Sequence, residues 1–209
     1  MANAKRKIGI VIPILHYFEG ACELIASIQT QHDYTVVVMP QWRAQVPLSK
    51  AWNDGAKKVF EMGCDYALVC NDDIIFAPQC IDNLVAEYER LHDSEKVIMV
   101  TPNNILAQLG NKYDILTYQT PDDPYTWAEH PNFSCFLITP EYFEKIGYFD
   151  EGFDPAWHED NDSHYRATLL GYKEITTTAA PMVHIGGVST SLMPHPPNSE
   201  NSRQYYIRK

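Results

Sequence analysis

The amino-acid sequence predicts an α/β fold: a mostly parallel central sheet flanked by helices, with a smaller region of different character toward the C-terminus. Three observations carry this expectation. From residue 8 to residue 102, apolar strand-like runs alternate with segments of helical period, the pattern of a parallel sheet built by crossovers. The first run, Ile8 to Leu15, is apolar almost throughout, as a strand covered on both faces requires. After Pro102 the alternation stops, and a polar stretch rich in Asp, Pro and Tyr follows.

The elements follow in order. Ile8 to Leu15 reads as the first strand. Gly20 to Thr30 reads as a helix, with Ala21, Leu24, Ile25 and Ile28 at helical spacing. Tyr34 to Met39 is a second strand, closed by Pro40, and Gln41 to Leu48 is a loop. Ser49 is placed to cap a helix from Lys50 to about Met62, with Gly63 just past its end. Asp65 to Phe76 is a strand unit interrupted by Asn71-Asp72-Asp73. Pro78 to His92 is helical, with Ile81, Leu84, Val85 and Tyr88 on one face, and Val97 to Val100 is a strand. Asn103 to Asn132 shows no period. Phe133 to Thr139 reads as a strand, Pro140 to Ile146 as a short helix, and His158 to Leu170 as a helix ended by Gly171. Glu174 to Ala179 and Met182 to Ile185 read as extended, and the chain from Gly186 onward as loop.

The right-handed crossover rule leaves few topologies for such an order. The 209 residues suffice for one domain with a sizeable core, and no linker or internal repeat divides them. A single domain over 1–209 is expected, possibly cut from a longer protein, with halves at about 1–102 and 103–209. A net charge of −11 argues against nucleic acid as a partner and against docking on an anionic membrane. The five cysteines are odd in number and lack metal-site spacing, so reduced thiols and a cytoplasmic setting are expected. Lys5, Arg6 and Lys7 precede an apolar run that is too short for a secretory leader, contains Pro13 and leads to no cleavage site. No segment is long enough to span a membrane.

Four clusters can carry chemistry. Asn71-Asp72-Asp73 follows the apolar run Tyr66–Cys70, at a strand's carboxyl end, where open α/β sheets bind ligands. Adjacent carboxylates there suit a divalent cation that keeps water and phosphate oxygens as its other ligands. The same tripeptide is also a good turn. Trp157-His158-Glu159-Asp160 suits a sugar: an aromatic face covers the ring, carboxylates bind hydroxyls, and one can take a proton from an attacking hydroxyl. Acids at a helix start are also favoured by its dipole, and Asp162 is read that way. His184, between an apolar run and Gly186-Gly187, is either a packed histidine or a metal ligand. Ser49 to Gly55 is either an ordinary helix start or one that holds phosphate oxygens.

Together, and over nearly the whole chain, these segments resemble the family 2 glycosyltransferases of the GT-A fold. The resemblance lies in the first strand with Pro13 and Ile14, Asn53 and Gly55 as an Asn-x-Gly helix start, and Asn71-Asp72-Asp73 in the place of an Asp-x-Asp-like motif. It continues through Gly147 to Glu151, Glu159-Asp160 with Arg166 and Gly171 downstream, His184, and a tail from Tyr205 to Lys209. Two departures stand out: His16 replaces a polar Asn, and Met39-Pro40-Gln41-Trp42-Arg43 lacks the Asp usual near the nucleotide base.

The resemblance implies a metal-dependent inverting transferase that moves a hexosyl unit from a nucleotide-diphosphate sugar, UDP- or dTDP-linked, to a hydroxyl of a glycan acceptor. It implies Mn²⁺ or Mg²⁺ held by Asp73 and His184. Asp72, Asn71, Pro13, Ile14, Asn53 and Gln41 or Trp42 would lie about the donor, and Trp157 and His158 about the acceptor. Asp160, or failing it Glu159, would be the general base. A catalytically inactive sugar-nucleotide or glycan-binding module is the alternative, and the intact Asp72, Asp73, Asp160 and His184 argue against it. A sugar nucleotidyltransferase would need a Gly-rich basic loop after Ile14, which is missing, and a phosphohydrolase would release phosphate without an acceptor.

Overall fold

The structure, a computed structural model, describes residues 5–41, 46–121, 126–129, 131, 133–192 and 199–209. β1 (Lys7–Ile14) and β2 (Asp33–Pro40) pair in parallel along their full length, joined by α1 (Phe18–Ser27). α2 (Leu48–Glu61) then leads to β3 (Tyr66–Cys70), parallel to β1 on its other side. β4 (Ile74–Phe76) follows the acid turn, and α3 (Cys80–Glu95) leads to β5 (Val97–Asn104). β6 (Trp127–Ala128), β7 (Cys135–Ile138), α4 (Pro140–Lys145), α5 (Glu159–Leu169) and β8 (Lys173–His184) follow. The chain closes with α6 (Val188–Ser191) and α7 (Glu200–Arg208). The sheet order is β2-β1-β3-β7-β5-β8-β4, with β6 on β8.

Five of the eight strands, β1, β2, β3, β5 and β8, run in one direction, so the sheet is mostly parallel as expected. β7 is the exception inside it. It is wholly buried, lies antiparallel between β3 and β5, and pairs Cys70 with Cys135. Period-two alternation sends β1 side chains to both faces. Ile8, Ile10, Ile12 and Ile14 join the core with Leu24 and Leu84, and Val11 joins Val59, Trp52 and Phe136 on the other face. α2 lies very close to β1. A Cβ on Gly9 would stand 2.2 Å from Cβ of Val59, and one on Gly55 2.2 Å from Cγ1 of Val11. Gly55 is therefore a packing residue.

Several boundaries differ from expectation, each for a physical reason. α2 starts at Leu48, after Pro47, and the Leu48 N–H donates to the Pro155 carbonyl at 2.9 Å. That bond replaces a side-chain cap, so Ser49 lies buried inside the first turn instead of capping it. Asp65–Phe76 is two strands with the acids on the bend between them. The two extended segments near the end are one strand, β8. Its pairing with β5 slips between Pro102↔Thr177 and Asn103↔Pro181, a bulge that carries the strand through Pro181. The stretch after Asn103 holds two 3-10 turns, Leu106–Gln108 and Lys112–Thr117, the second fixed by an Asn111–Asp114 capping box. The segment after Gly186, expected as loop, contains α6 and α7.

Four cysteines are buried, Cys22 is exposed, and none is bridged. No helix among the described residues is long and apolar enough to cross a membrane.

Candidate active site

A cleft of about 880 Å³ opens at the carboxyl ends of β1 and β3. Its floor is the Asn71–Asp73 bend. Backbone bonds hold this bend on two sides: the Asn71 N–H donates to the Ser134 carbonyl at 2.8 Å, and the Ile185 N–H to the Asp73 carbonyl at 3.2 Å. The bulge in β8 brings its last residues against β4, and Ile74 pairs with His184. This register sets Nε2 of His184 3.2 Å from Oδ1 of Asp73. Asp73 Oδ2 accepts the Gly186 N–H at 2.9 Å, and Gly186 turns with φ +79°, a left-handed conformation open to glycine. Asn104 fixes the backbone of His184, accepting its N–H at 3.1 Å and donating to its carbonyl at 3.0 Å.

Asp72 is buried beside Asp73. The Ser189 hydroxyl reaches its two oxygens at 2.9 and 2.8 Å, and the Leu15 N–H donates at 3.4 Å. Burial pushes its carboxyl above the ordinary range, the Ser189 hydroxyl draws it back down, and the neighbouring Asp73 raises it again.

The opposite wall comes from residues 154–160. Trp157 and His158 both hold left-handed backbone, with φ +76° and +71°, immediately before α5. Such conformations are costly away from glycine and cluster at functional sites. Asp154, Trp157, Glu159 and Asp160 line the cleft. Glu159 is 5% exposed, and its Oε2 has no hydrogen-bond partner among the described residues. Burial raises its pKa to about 7, with backbone N–H groups of Glu159 and Trp157 offsetting and the neighbouring Asp160 adding to the shift.

This shift has a stability consequence. Between the ordinary 4.5 and about 7, the folded chain keeps a proton that the unfolded chain has released, so stability falls as pH rises through that window. The cost is absent below the window and complete above it, about 3 kcal/mol from the size of the shift. Glu159→Gln is expected to flatten this slope in denaturant titrations between pH 4.5 and 8. An unchanged slope would place the titration elsewhere.

The cleft gathers most of the sequence-predicted residues: Pro13, Gln41, Asn71, Asp72, Asp73, Trp157, Glu159, Asp160 and His184. Ile14 is instead buried in the core. Asn53, buried in α2, ties down the Gly147–Glu151 segment. Its Nδ2 donates to the Phe149 carbonyl at 2.8 Å, and its Oδ1 accepts the Phe149 N–H at 3.0 Å. The ring of His158 stacks on Tyr206 at 5.5 Å, away from the cleft lining. Trp42 lies outside the described residues. The tail, α7, buttresses the wall without lining the cleft: Ser202 donates to the Ala156 carbonyl at 2.7 Å, and Lys209 Nζ bridges Asp150 at 2.6 Å and Asp162 at 2.7 Å. Sequence reasoning missed Ser189, Ser134 and Asn104, and named Gly186 only as a flank of His184. Each acts through a short-range bond to a remote segment, and only the Gly186-Gly187 pair beside His184 gave a signal.

α5 is anchored from below. Glu174, fully buried, accepts from Tyr142 at 2.7 Å and meets His164 Nδ1 at 3.0 Å, which raises the pKa of His164. Arg166, paired at 3.0 Å with Asp162 one turn earlier on the same helix, ties α5 back by donating to the Tyr148 carbonyl at 3.1 Å.

No family model matches the chain. A galactofuranosyl glycosyltransferase of Leishmania donovani is 23% identical over 176 residues, covering 66% of the chain and 41% of the relative. The chain thus spans about two fifths of that relative's length. The catalytic domain of Drosophila β1,4-galactosyltransferase 7, solved with xylobiose, superposes with a TM-score of 0.61 at 14% identity, over 98% of this chain and 80% of that one. The fold is GT-A-like. GalNAc-T7, solved with UDP, GalNAc and Mn²⁺, gives 0.58 at 11% identity, over 87% of this chain and 44% of that one. The GT-A-like chain is thus glycosyltransferase-like in sequence and in fold.

A divalent cation fits the residues present. Among the described residues no cage of three or more His, Cys, Asp or Glu side chains forms. Asp73 and His184 supply one oxygen and one nitrogen side by side at the cleft floor. Two protein ligands, with diphosphate oxygens and water completing the shell, is how Mg²⁺-type ions sit in nucleotide sites.

Proposed function

We propose that the chain is a metal-dependent, inverting glycosyltransferase of the family 2 kind, acting on a UDP- or dTDP-sugar and a glycan hydroxyl. The observation that carries this is the pairing, across one cleft, of the Asp73–His184 couple with the Glu159–Asp160 wall. Asp73 and His184 would hold Mn²⁺ or Mg²⁺, which when bound stabilises the charge of the departing diphosphate as a Lewis acid. Asp72, kept in place by Ser189, would meet the donor from the same bend. Gln41, on the cleft lining, offers an amide to the nucleotide base. Trp157 gives a face for the acceptor ring. Asp160 takes the proton of the acceptor hydroxyl as that oxygen forms its bond to the anomeric carbon. Attack opposite the leaving diphosphate inverts that carbon.

The deciding experiment is thermal unfolding of the chain with UDP or dTDP, each with Mn²⁺ and with chelator. A ligand bound only by the folded state raises the midpoint. A metal-dependent rise with one nucleotide is expected. No rise with either would remove the donor assignment and favour a glycan-binding module.

A further inference from the structure

His184 is the last residue of β8 and runs past the end of the strand beside it. On the β4 side the ladder is closed, since the Ile185 N–H donates to the Asp73 carbonyl at 3.2 Å in register with Ile74↔His184. Backbone groups of successive strand residues point to opposite sides, so the N–H and carbonyl of His184 point away from β4, toward β5. β5 gives out at that point. Its final backbone bond to β8 runs from the Ile105 N–H to the Met182 carbonyl at 2.9 Å. A continuing parallel ladder would offer the Ile105 carbonyl to the His184 N–H. That carbonyl instead accepts the Gln108 N–H at 2.8 Å, inside the turn Leu106–Gln108. A side chain supplies the missing rung. Asn104 Oδ1 accepts the His184 N–H at 3.1 Å, and its Nδ2 donates to the His184 carbonyl at 3.0 Å. An amide has the acceptor and the donor that this rung needs. The same Oδ1 accepts the Leu106 N–H at 3.1 Å, which fixes the amide in turn. Asn104 is exposed, so water could satisfy these groups in its place. Water would not fix their direction, and a metal ligand depends on direction.

We infer that Asn104 is a positioning residue for the cation site: by holding the backbone of His184 in line, it keeps the ring beside Asp73 and sets how tightly the pair binds a divalent cation. The inference rests on the glycosyltransferase reading, in which Asp73 and His184 hold the metal. It goes beyond that reading by assigning part of the metal affinity to a residue off the cleft lining.

The test follows the unfolding midpoint of the full chain at saturating UDP, or dTDP if that is the nucleotide bound, as Mn²⁺ is titrated. Asn104→Ala is expected to raise the Mn²⁺ concentration at half of the metal-dependent rise by about ten- to a hundredfold, the usual effect of losing a residue that orients a metal ligand. The midpoint without ligand is expected to fall by a few degrees at most, because the lost bonds are exposed. Asn104→Ser, polar but too short to span both groups, is expected to shift the half-point the same way and repeats the test if the alanine variant folds poorly. Asn111→Ala is the control for general loosening. Asn111 caps the turn Lys112–Thr117 farther along the same connection, accepting the Tyr113 N–H at 2.9 Å. Its loss is expected to leave the Mn²⁺ half-point unchanged, whereas a merely structural role for Asn104 would move both alike. An unchanged half-point in the Asn104 variants, or an equal shift in Asn111→Ala, overturns the inference and leaves the metal-dependent nucleotide site standing. Absence of any Mn²⁺-dependent rise in the unsubstituted chain overturns the metal assignment itself, and the inference with it.

Discussion

Asp160→Asn is expected to lower sugar transfer by about a hundred- to ten-thousand-fold, the usual contribution of a positioned general base, and to leave Mn²⁺-dependent nucleotide binding unchanged. The two adjacent carboxylates of α5 have different surroundings. Glu159 is buried and keeps its proton up to about pH 7, whereas Asp160 is half-buried on the cleft wall and takes one backbone bond, from Asn161 at 2.7 Å. Neighbouring acids with unlike environments divide into different roles. The solvent-reached member suits proton removal, and the buried member suits holding a hydroxyl. The amide of Asn preserves the size and the backbone bond of Asp160 but cannot take the proton. Initial rates against acceptor, beside nucleotide titrations, separate the two effects. Retained turnover, or loss of nucleotide binding, would strip Asp160 of this role.

Asp73→Asn is expected to abolish the Mn²⁺-dependent rise in unfolding midpoint with nucleotide. At a ligand concentration of about a hundred times its dissociation constant, binding contributes about 2.7 kcal/mol. For a chain of this length that is roughly 5–10 °C of midpoint. Asn keeps an acceptor for the Gly186 N–H and so spares the turn into α6. What it loses is the anionic oxygen that faces His184 at 3.2 Å. If the variant retains the full metal-dependent rise, the cation is not held by Asp73.

The floor of the cleft is legible in the sequence because its residues sit at strand ends. Apolar runs and a period of two locate a strand, and whatever follows it lies at the sheet's carboxyl edge. Asp72, Asp73 and His184 were found in this way. Asn53, singled out by motif as a donor contact, lies off the cleft lining instead, because its buried polar bonds to Phe149 are invisible to spacing. His158 faced the same limit, because its place depends on Tyr206, almost fifty residues away. The antiparallel insertion of β7 left no local mark: its four residues, all buried, read the same in either direction. α7 was hidden for another reason. Its apolar content is low, and it is held by Ser202, Tyr206 and Lys209 through contacts with the 150–162 segment.

The insertion of β7 beside β3 divides the molecule into parts with different freedom to change. The acid bend is sewn to β7 by the Asn71–Ser134 bond and to β8 by the Ile74–His184 pairing, so its position is fixed by the central sheet itself. The facing wall is a peripheral segment, propped by α7 and by single bonds such as Ser202 to Ala156. Substitutions on the wall can accumulate without disturbing the floor. A lineage built on this scaffold can thus exchange the wall while the floor stays constant, as a tool keeps its handle through many changes of blade.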